Sequence, residues 1–209
     1  MRIETIVSGQ LSNNTYIIID EDTHKCAIID PALHSNGIIE FFRENPQLEV
    51  EYIIATHGHF DHVTQIAVIK EMFGGQVIIH KDDEELLKSP NNLYYVRQTN
   101  AKNKILHADI LVSGGEVLEL GSLQLQIIHT PGHSKGSICI RCGDYLFSGD
   151  TLFKDDVGRT DLYGGSEVEL RNSIKNVLGQ IKENLIVLPG HYERTTLNYE
   201  KENNPYFKN

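Results

Sequence analysis

The segment Thr56-His57-Gly58-His59-Phe60-Asp61-His62 carries four strong metal-ligand side chains within six residues. It follows directly on the apolar run Tyr52-Ile53-Ile54-Ala55, which has the composition of a buried strand. Core packing does not explain three imidazoles and one carboxylate in a single loop at the end of a strand. A loop that holds metal ions and uses them to activate water does explain them.

Three later segments repeat this arrangement, in which a short apolar strand ends in a small-residue turn with one ligand. The turns are Thr130-Pro131-Gly132-His133, Ser148-Gly149-Asp150 and Pro189-Gly190-His191. One histidine in a turn is weak evidence, but four such turns in one chain favour a common site. If these strand ends meet at one edge, they gather seven ligands: His57, His59, Asp61, His62, His133, Asp150 and His191. Five imidazoles and two carboxylates fit two zinc-like ions that share one carboxylate.

The bulk composition is that of a soluble globular protein. The chain has 209 residues, of which 40% are hydrophobic and 23% are charged, and we expect a single domain spanning 1–209. The net charge of −10 makes nucleic acid an unfavourable partner, so none is expected. The chain has neither a run of roughly 18 apolar residues nor a basic, apolar N-terminus. We therefore expect a cytoplasmic protein without a membrane partner.

The apolar periodicity places strands in two blocks, each followed by helix. This order predicts an α/β protein in which two sheets pack face to face with helices outside. A capping box at Ser166 and Glu169 predicts a helix with one apolar stripe, formed by Leu170, Ile174, Val177, Leu178 and Ile181. A polar stretch, 89–104, is the candidate for a long surface loop. The predicted strands are 5–7, 15–20, 25–30, 52–55, 76–80, 110–112, 116–120, 124–129, 137–141, 145–147 and 185–188, and the other helices are 36–43, 63–73 and 81–88.

The remaining cysteines and histidines favour ordinary structural roles. Cys139 and Cys142 form a CxxC, but residues three apart on a strand point to opposite faces, and no second CxxC completes a zinc site. His129 lies close to His133 and is a candidate for supporting a ligand. For His129, as for His24, His34, His80 and His107, we favour a structural or surface role.

The ligand pattern resembles a known family. THGHFDH resembles the HxHxDH signature of the metallo-β-lactamase fold, and the spaced His133, Asp150 and His191 are similar to the remaining ligands of that family. The resemblance implies a four-layer αββα sandwich with the site at one edge of both sheets. It also implies the division of ligands: a first metal held by His57, His59 and His133, a second held by Asp61, His62 and His191, and a bridge formed by Asp150 with a water or hydroxide.

Later segments resemble one group within that superfamily. TPGHSKGS, SGDTLF, VGRTD at 157–161 and PGHYERTTL at 189–197 are similar to the short bacterial form of the glyoxalase II, or hydroxyacylglutathione hydrolase, group. β-Lactamases of this fold typically lack a bridging aspartate at the position of Asp150, which argues against an antibiotic hydrolase. The chain ends about 18 residues after His191, which leaves no room for the C-terminal helical domain of long glyoxalase II enzymes. Glutathione specificity is therefore not implied.

We expect hydrolysis of a thioester, such as S-D-lactoylglutathione or another S-acyl thiol, by a hydroxide that bridges two metal ions. Asp61 and Asp150 are the expected catalytic carboxylates. Arg159 is a candidate for binding a substrate carboxylate, or else it braces the loop by pairing with Asp161 or Asp150. Tyr163 and Lys154 are weaker candidates for substrate contacts. Zinc is the expected metal, with iron and manganese as alternatives.

The sequence leaves three other functions open. An iron-dependent persulfide dioxygenase on the same fold would use His57, His133 and Asp150 around one iron. A phosphodiesterase or nuclease is disfavoured by the acidic charge. A protein that binds metal without catalysis would ordinarily have lost a ligand, and all seven are retained.

Overall fold

The computed structural model describes residues 1–9, 11–32, 36–89, 92 and 107–208. Two six-stranded sheets form its centre. The first sheet keeps sequence order and is antiparallel up to β3 and parallel from β3 onward. Its strands are β1 Arg2–Ser8, β2 Asn13–Ile19, β3 Lys25–Ile29, β4 Glu49–Ile54, β5 Gln76–His80 and β6 Ile110–Val112.

The second sheet has the order β14-β13-β10-β9-β8-β7, in which β10 and β13 are parallel and the other neighbours antiparallel. Its strands are β7 Val117–Leu120, β8 Leu123–His129, β9 Ile138–Cys142, β10 Tyr145–Gly149, β13 Ile186–Pro189 and β14 Thr195–Thr196. A small hairpin of β11 Leu152–Phe153 and β12 Asp156–Val157 follows β10.

Helices cover the outer faces of the sheets. They are α1 Asn36–Glu44, α2 Phe60–Val63, α3 Ile66–Phe73, α4 Glu167–Asn172, α5 Leu197–Asn203 and α6 Pro205–Lys208, with a 3-10 helix at Lys81–Lys88. Within the described part of the chain, no helix combines the length and apolar content needed to cross a membrane.

The alternation along β2 shows why the layers form. Ile17 and Ile19 pack with the first helical layer, whereas Tyr16 and Ile18 face the space between the two sheets. A third apolar cluster, with Leu170, joins the second sheet to its helices. Three cores between four layers make the predicted αββα sandwich, so the α/β fold class is confirmed.

Most predicted strands and helices match the observed ones to within a few residues. One difference is the helix after Ser166, which was predicted as continuous but passes through a π-helical stretch at Ser173–Val177 and a 3-10 turn at Leu178–Gln180. The wider turn shifts the stripe, so that Ile174 and Leu178 are buried while Val177 is only half-buried. The polar tail also forms α5 and α6, which bury Leu197.

Two further sequence expectations concern the cysteines and the surface loop. Cys139 packs in the outer cluster of the second sheet and Cys142 in the cluster between the sheets, so they lie on opposite faces and remain free thiols. The prediction that the two side chains point to opposite faces is confirmed, and the structural role of this CxxC stays a prediction. The predicted loop 89–104 falls almost entirely outside the described residues, as does His34.

The topology brings the ligand-bearing turns to one end of the sandwich. β4, β10 and β13 end just before His57, Asp150 and His191. Backbone hydrogen bonds hold these turns in place: the Ile138 N–H, at the start of β9, donates to the Thr56 carbonyl at 2.9 Å, and the Gly190 N–H donates to the Gly149 carbonyl at 2.8 Å.

Candidate metal centre

The structure brings together all seven side chains predicted to bind metal. Their ligand atoms form three overlapping groups, within each of which the atoms lie less than 4.8 Å apart. The groups are His57, His59 and His133; Asp61, His62 and His191; and His57, His62 and Asp150. We call the first of these the first ligand group and the second the second ligand group.

In the first ligand group, three imidazole nitrogens face one point. His133 Nε2 lies 2.8 Å from His59 Nδ1 and 3.2 Å from His57 Nε2. His57 and His133 are almost completely buried. Neutral imidazoles this close need a proton or a cation between them, because each nitrogen otherwise directs a lone pair at the next.

The outer nitrogens of these rings settle which nitrogen carries hydrogen. His133 Nδ1 donates to the Arg159 carbonyl at 2.8 Å. The Thr56 hydroxyl donates to Asp30 Oδ2 at 2.6 Å and therefore accepts from His57 Nδ1, 3.1 Å away. With both outer nitrogens acting as donors, the inner Nε2 atoms carry lone pairs that point into the cluster, which is the arrangement of metal-binding histidines.

In the second ligand group, too, the outer ring nitrogens donate hydrogen bonds and the inner nitrogens face the cluster. His62 Nδ1 donates to Asp30 Oδ2 at 3.0 Å, and His191 Nδ1 donates to the Leu11 carbonyl at 3.0 Å. Their inner Nε2 atoms each lie 3.5 Å from Asp61 Oδ2. Asn13 Nδ2 donates to the same Asp61 oxygen at 3.0 Å and fixes the orientation of this carboxylate.

Asp150 lies between the two ligand groups. Its Oδ2 is 3.5 Å from His133 Nε2 and 3.5 Å from His191 Nε2, and its Oδ1 is 3.5 Å from His62 Nε2. Oδ1 is buried without a hydrogen-bond partner. A buried carboxylate oxygen without a donor is costly unless a cation compensates it, so Asp150 is well placed to be shared by two ions.

The spacing of the ligand atoms fits metal ions of ordinary size. Nitrogen ligands at about 2.0–2.1 Å from a tetrahedral zinc lie about 3.3 Å from one another. The observed separations of 2.8 to 3.5 Å fall around that value. The donor set and its geometry therefore fit two divalent cations.

The electrostatics differ between the two groups. Burial lowers the pKa of His57 well below its usual range and, together with the neighbouring His133, lowers that of His59 to about 4. Burial also lowers the pKa of His62 and His191, but Asp61 and Asp150 outweigh this effect and raise them to about 9 and about 11. Burial acts to raise the pKa of Asp150, but His62, His191 and His133 together outweigh this effect and lower that pKa. Without a cation, His62 and His191 of the second ligand group therefore bind protons, whereas His57 and His59 of the first group have lowered pKa values and stay neutral.

Asp30 supports both groups and was missed by the sequence analysis. It is buried at the end of β3, accepts from the Thr56 N–H at 2.7 Å and its hydroxyl at 2.6 Å, and also accepts from His62. The signal was present, because Ile28-Ile29-Asp30 is again an apolar strand that ends in a carboxylate. Asp83, a second buried carboxylate, was missed as well.

A cleft of about 550 Å³ opens onto the cluster, and Phe153, Arg159, Leu162 and Tyr192 contribute to its walls. Arg159 forms a bidentate pair with Asp161 at 2.6 and 2.7 Å, which is the bracing arrangement considered from the sequence, while its side chain stays largely exposed. The Arg159 carbonyl also orients His133.

The other two candidates for substrate contacts lie farther out. Tyr163 is 75% exposed and lines a neighbouring apolar pocket that reaches His59. Lys154 pairs with Glu193 at 2.7 Å and lines a separate pocket with Arg194 and Tyr199. The structure therefore does not bring Lys154 to the ligand cluster.

A further group of His80, Asp82 and His129 has ligand atoms within 4.8 Å of one another. The two rings stack at 4.0 Å with an interplanar angle of 13°, and His129 Nε2 is bonded to the Lys135 carbonyl at 2.9 Å. Parallel stacked rings do not direct two lone pairs at one point, so this geometry is unsuited to a metal ion.

Comparison with known proteins places the chain in a family. The model of the metallo-beta-lactamase superfamily matches residues 8–191, and the chain belongs to that superfamily of metallo-hydrolases. A relative in Haemophilus influenzae, the hydroxyacylglutathione hydrolase GloC, is 31% identical over 99% of this chain and 98% of its own length.

Solved structures agree with this assignment. The BLEG-1 B3 metallo-beta-lactamase has a TM-score of 0.87 and 31% identity over the full length of both chains. TTHA1623 in a di-iron-bound form has a TM-score of 0.82 and 30% identity over 97% of this chain and 99% of its own. ETHE1 from Myxococcus xanthus has a TM-score of 0.80 and 27% identity over 98% of this chain and 84% of its own.

Proposed function

We propose that this protein hydrolyses thioesters with two divalent metal ions held by the seven ligands. The observation that carries the proposal is the convergence of imidazole lone pairs on both sides of the shared carboxylate of Asp150. Similarity to GloC over nearly its whole length supports a thioester substrate of the S-acylglutathione class. Zinc is the proposed metal, and the di-iron form of TTHA1623 makes iron the first alternative to test.

Metal ions bound there would supply a water of lowered pKa and a positive charge that polarises the substrate carbonyl. The protein residues orient these components. Asp61, which Asn13 holds in place, accepts a hydrogen bond from the attacking water. This bond directs the lone pair of the water at the carbonyl carbon. Asp150 keeps the first and second ligand groups aligned with each other. The carbon–sulfur bond breaks as a carbon–oxygen bond forms, and a thiolate leaves readily because a thiol has a pKa of about 8.5.

No protein nucleophile is needed for this reaction. Cys26, Cys139 and Cys142 are all buried, and none of them lines the cleft. Arg159 and Tyr163 stand beside the cluster and are the proposed contacts for the polar end of the substrate. If Arg159 serves the substrate, its guanidinium must exchange Asp161 for a substrate carboxylate.

The test is a substrate panel assayed on purified protein of known metal content. We expect chelator-sensitive thiol release from S-D-lactoylglutathione or another S-acyl thiol. The panel includes a glutathione persulfide with oxygen, a phosphodiester and, because of the similarity to BLEG-1, a chromogenic β-lactam. Oxygen uptake with one iron per chain, or turnover of the phosphodiester or β-lactam alone, would overturn the proposal.

Asp150→Asn tests the role of the shared carboxylate. We expect it to lose metal and thioester hydrolysis together, whereas Asp22→Asn, an exposed change of the same kind, should alter neither. An Asp150→Asn protein with both metals and full activity would rule out the proposed scheme.

A further inference from the structure

A buried carboxylate outside the ligand cluster connects two separate loops. Asp83 is completely buried in the 3-10 helix Lys81–Lys88. Its Oδ2 accepts from the Gly58 N–H at 2.8 Å and from the Ser134 hydroxyl at 2.6 Å. Its Oδ1 accepts from the Gly136 N–H at 2.6 Å.

These two loops carry the three residues of the first ligand group. Gly58 lies between His57 and His59, and Ser134 follows His133 directly. The first loop extends from the first sheet and the second from the other sheet. Asp83 therefore fixes the distance across which the imidazoles of this group meet.

The packing around Asp83 is close. A Cβ added at Gly136 would lie 2.7 Å from the Asp83 backbone nitrogen and from its Cβ and Cγ, so only glycine permits this approach. The Gly58 carbonyl accepts from Asn92 Nδ2 at 2.8 Å. Both polar groups of the Gly58 residue are thus held by side chains, which leaves this loop little freedom.

Asp83 is suited to holding two loops together through hydrogen bonds rather than to binding a metal ion. Both of its oxygens are engaged by hydrogen-bond donors, and a buried carboxylate needs such donors to offset the loss of water. Short, charge-assisted bonds of this kind hold geometry more firmly than neutral ones.

We propose that Asp83 is a positioning residue that presets the first ligand group and thereby sets its metal affinity relative to that of the second. Its hydrogen bonds reach the loops of His57, His59 and His133, whereas the second ligand group is supported by Asp30, Asn13 and Leu11. The inference rests on the metal centre of the proposed function and on no particular substrate.

The test is Asp83→Asn in two backgrounds that each leave one ligand group intact. His191→Ala leaves the first group and His133→Ala leaves the second. The asparagine keeps the size of the side chain but presents an N–H₂ to donors that need an acceptor. Zn²⁺ affinity is measured by competition with a chromogenic chelator, and Co²⁺ absorption spectra report the coordination of each group.

We expect Asp83→Asn to weaken the first group by about 10- to 100-fold, the usual effect of losing a supporting hydrogen bond, and to change its Co²⁺ spectrum. The second group should change by less than about threefold, because none of the hydrogen bonds of Asp83 reaches Asp61, His62 or His191. Asp82→Asn removes a charge from the adjacent, half-exposed position and should change neither. If Asp83→Asn does not fold, Ser134→Ala removes one donor and should give the same selectivity at smaller amplitude.

Equal losses in both backgrounds, or an unchanged first group, would overturn the role of Asp83. Normal metal binding without thioester turnover in the unmodified protein would overturn the proposed function alone. Failure of the unmodified protein to bind metal would overturn both.

Discussion

The two ligand groups should release different numbers of protons when they bind metal. With a pKa of about 9 for His62 and about 11 for His191, both rings of the second group are protonated at pH 7 in protein stripped of metal. Zn²⁺ must displace both protons, and each one contributes about a tenfold change in apparent affinity per pH unit. The affinity of the second group should therefore rise about 100-fold per unit between pH 6 and 8.

The first group lacks this penalty at His57 and His59, because the pKa values of both rings are lowered and they are already neutral at pH 7. Calorimetric titration with Zn²⁺ in buffers of different ionisation enthalpy counts the protons released. The His133→Ala protein should release more protons than the His191→Ala protein, because His62 and His191 carry protons that His57 and His59 lack. Equal counts, or a steeper pH dependence in the first group, would refute the charge distribution described above.

The same shift fixes the sign of a stability change in stripped protein. Folding raises the pKa of His62 from its ordinary 6.5 to about 9. The stabilising contribution of the protonated ring is therefore complete below about pH 6.5 and is lost as the pH rises through about 9. Thermal melts should show Tm falling between these pH values in stripped protein, and much less in Zn²⁺-loaded protein, whose His62 is held by metal throughout.

Three further predictions concern separate parts of the molecule. Asp30→Asn should weaken Zn²⁺ binding by the second group about 10- to 100-fold in a chelator competition assay, and asparagine tolerates the positive φ of 52° at this position. Unchanged binding would contradict the role given to Asp30. Burial raises the pKa of Cys26 to about 12 and of Cys139 to about 11, so the native protein should react slowly with a thiol reagent at pH 8. All three thiols should react after denaturation, and rapid labelling of the native protein would contradict their burial. Phe147→Ala should lower the free energy of unfolding in urea by about 3–5 kcal/mol, because Phe147 is fully buried between the sheets against Tyr16. Val168→Ala, at an exposed position, should lower it by less than about 0.5 kcal/mol, and similar losses for both variants would contradict this core assignment.

The ligands could be predicted from the sequence because each has a local signal. An apolar run, a small-residue turn and a histidine or aspartate occur together within a few residues, as in Leu188-Pro189-Gly190-His191. The alternation of apolar residues likewise revealed most strands, and their arrangement in two blocks indicated two sheets.

The supporting carboxylates could not be found in this way, since their roles depend on distant contacts. Asp83 bonds to Gly58 and to Ser134, which lie 25 and 51 residues away. Nothing in the charged segment 81–88 distinguishes it from its exposed neighbour Asp82. The π-helical stretch at Ser173–Val177 could not be predicted either, because the apolar spacing there is compatible with a regular helix.

The number of metal ions required for turnover tests the central claim most directly. Zn²⁺ is added in steps to stripped protein, and the hydrolysis of S-D-lactoylglutathione, or of the best S-acyl thiol found, is followed alongside bound metal. Because Asp150 is shared by both ligand groups, we predict that activity rises steeply with the second equivalent and stops rising at two ions per chain. Full thioester hydrolysis at one ion per chain, or without any, would contradict the two-metal account.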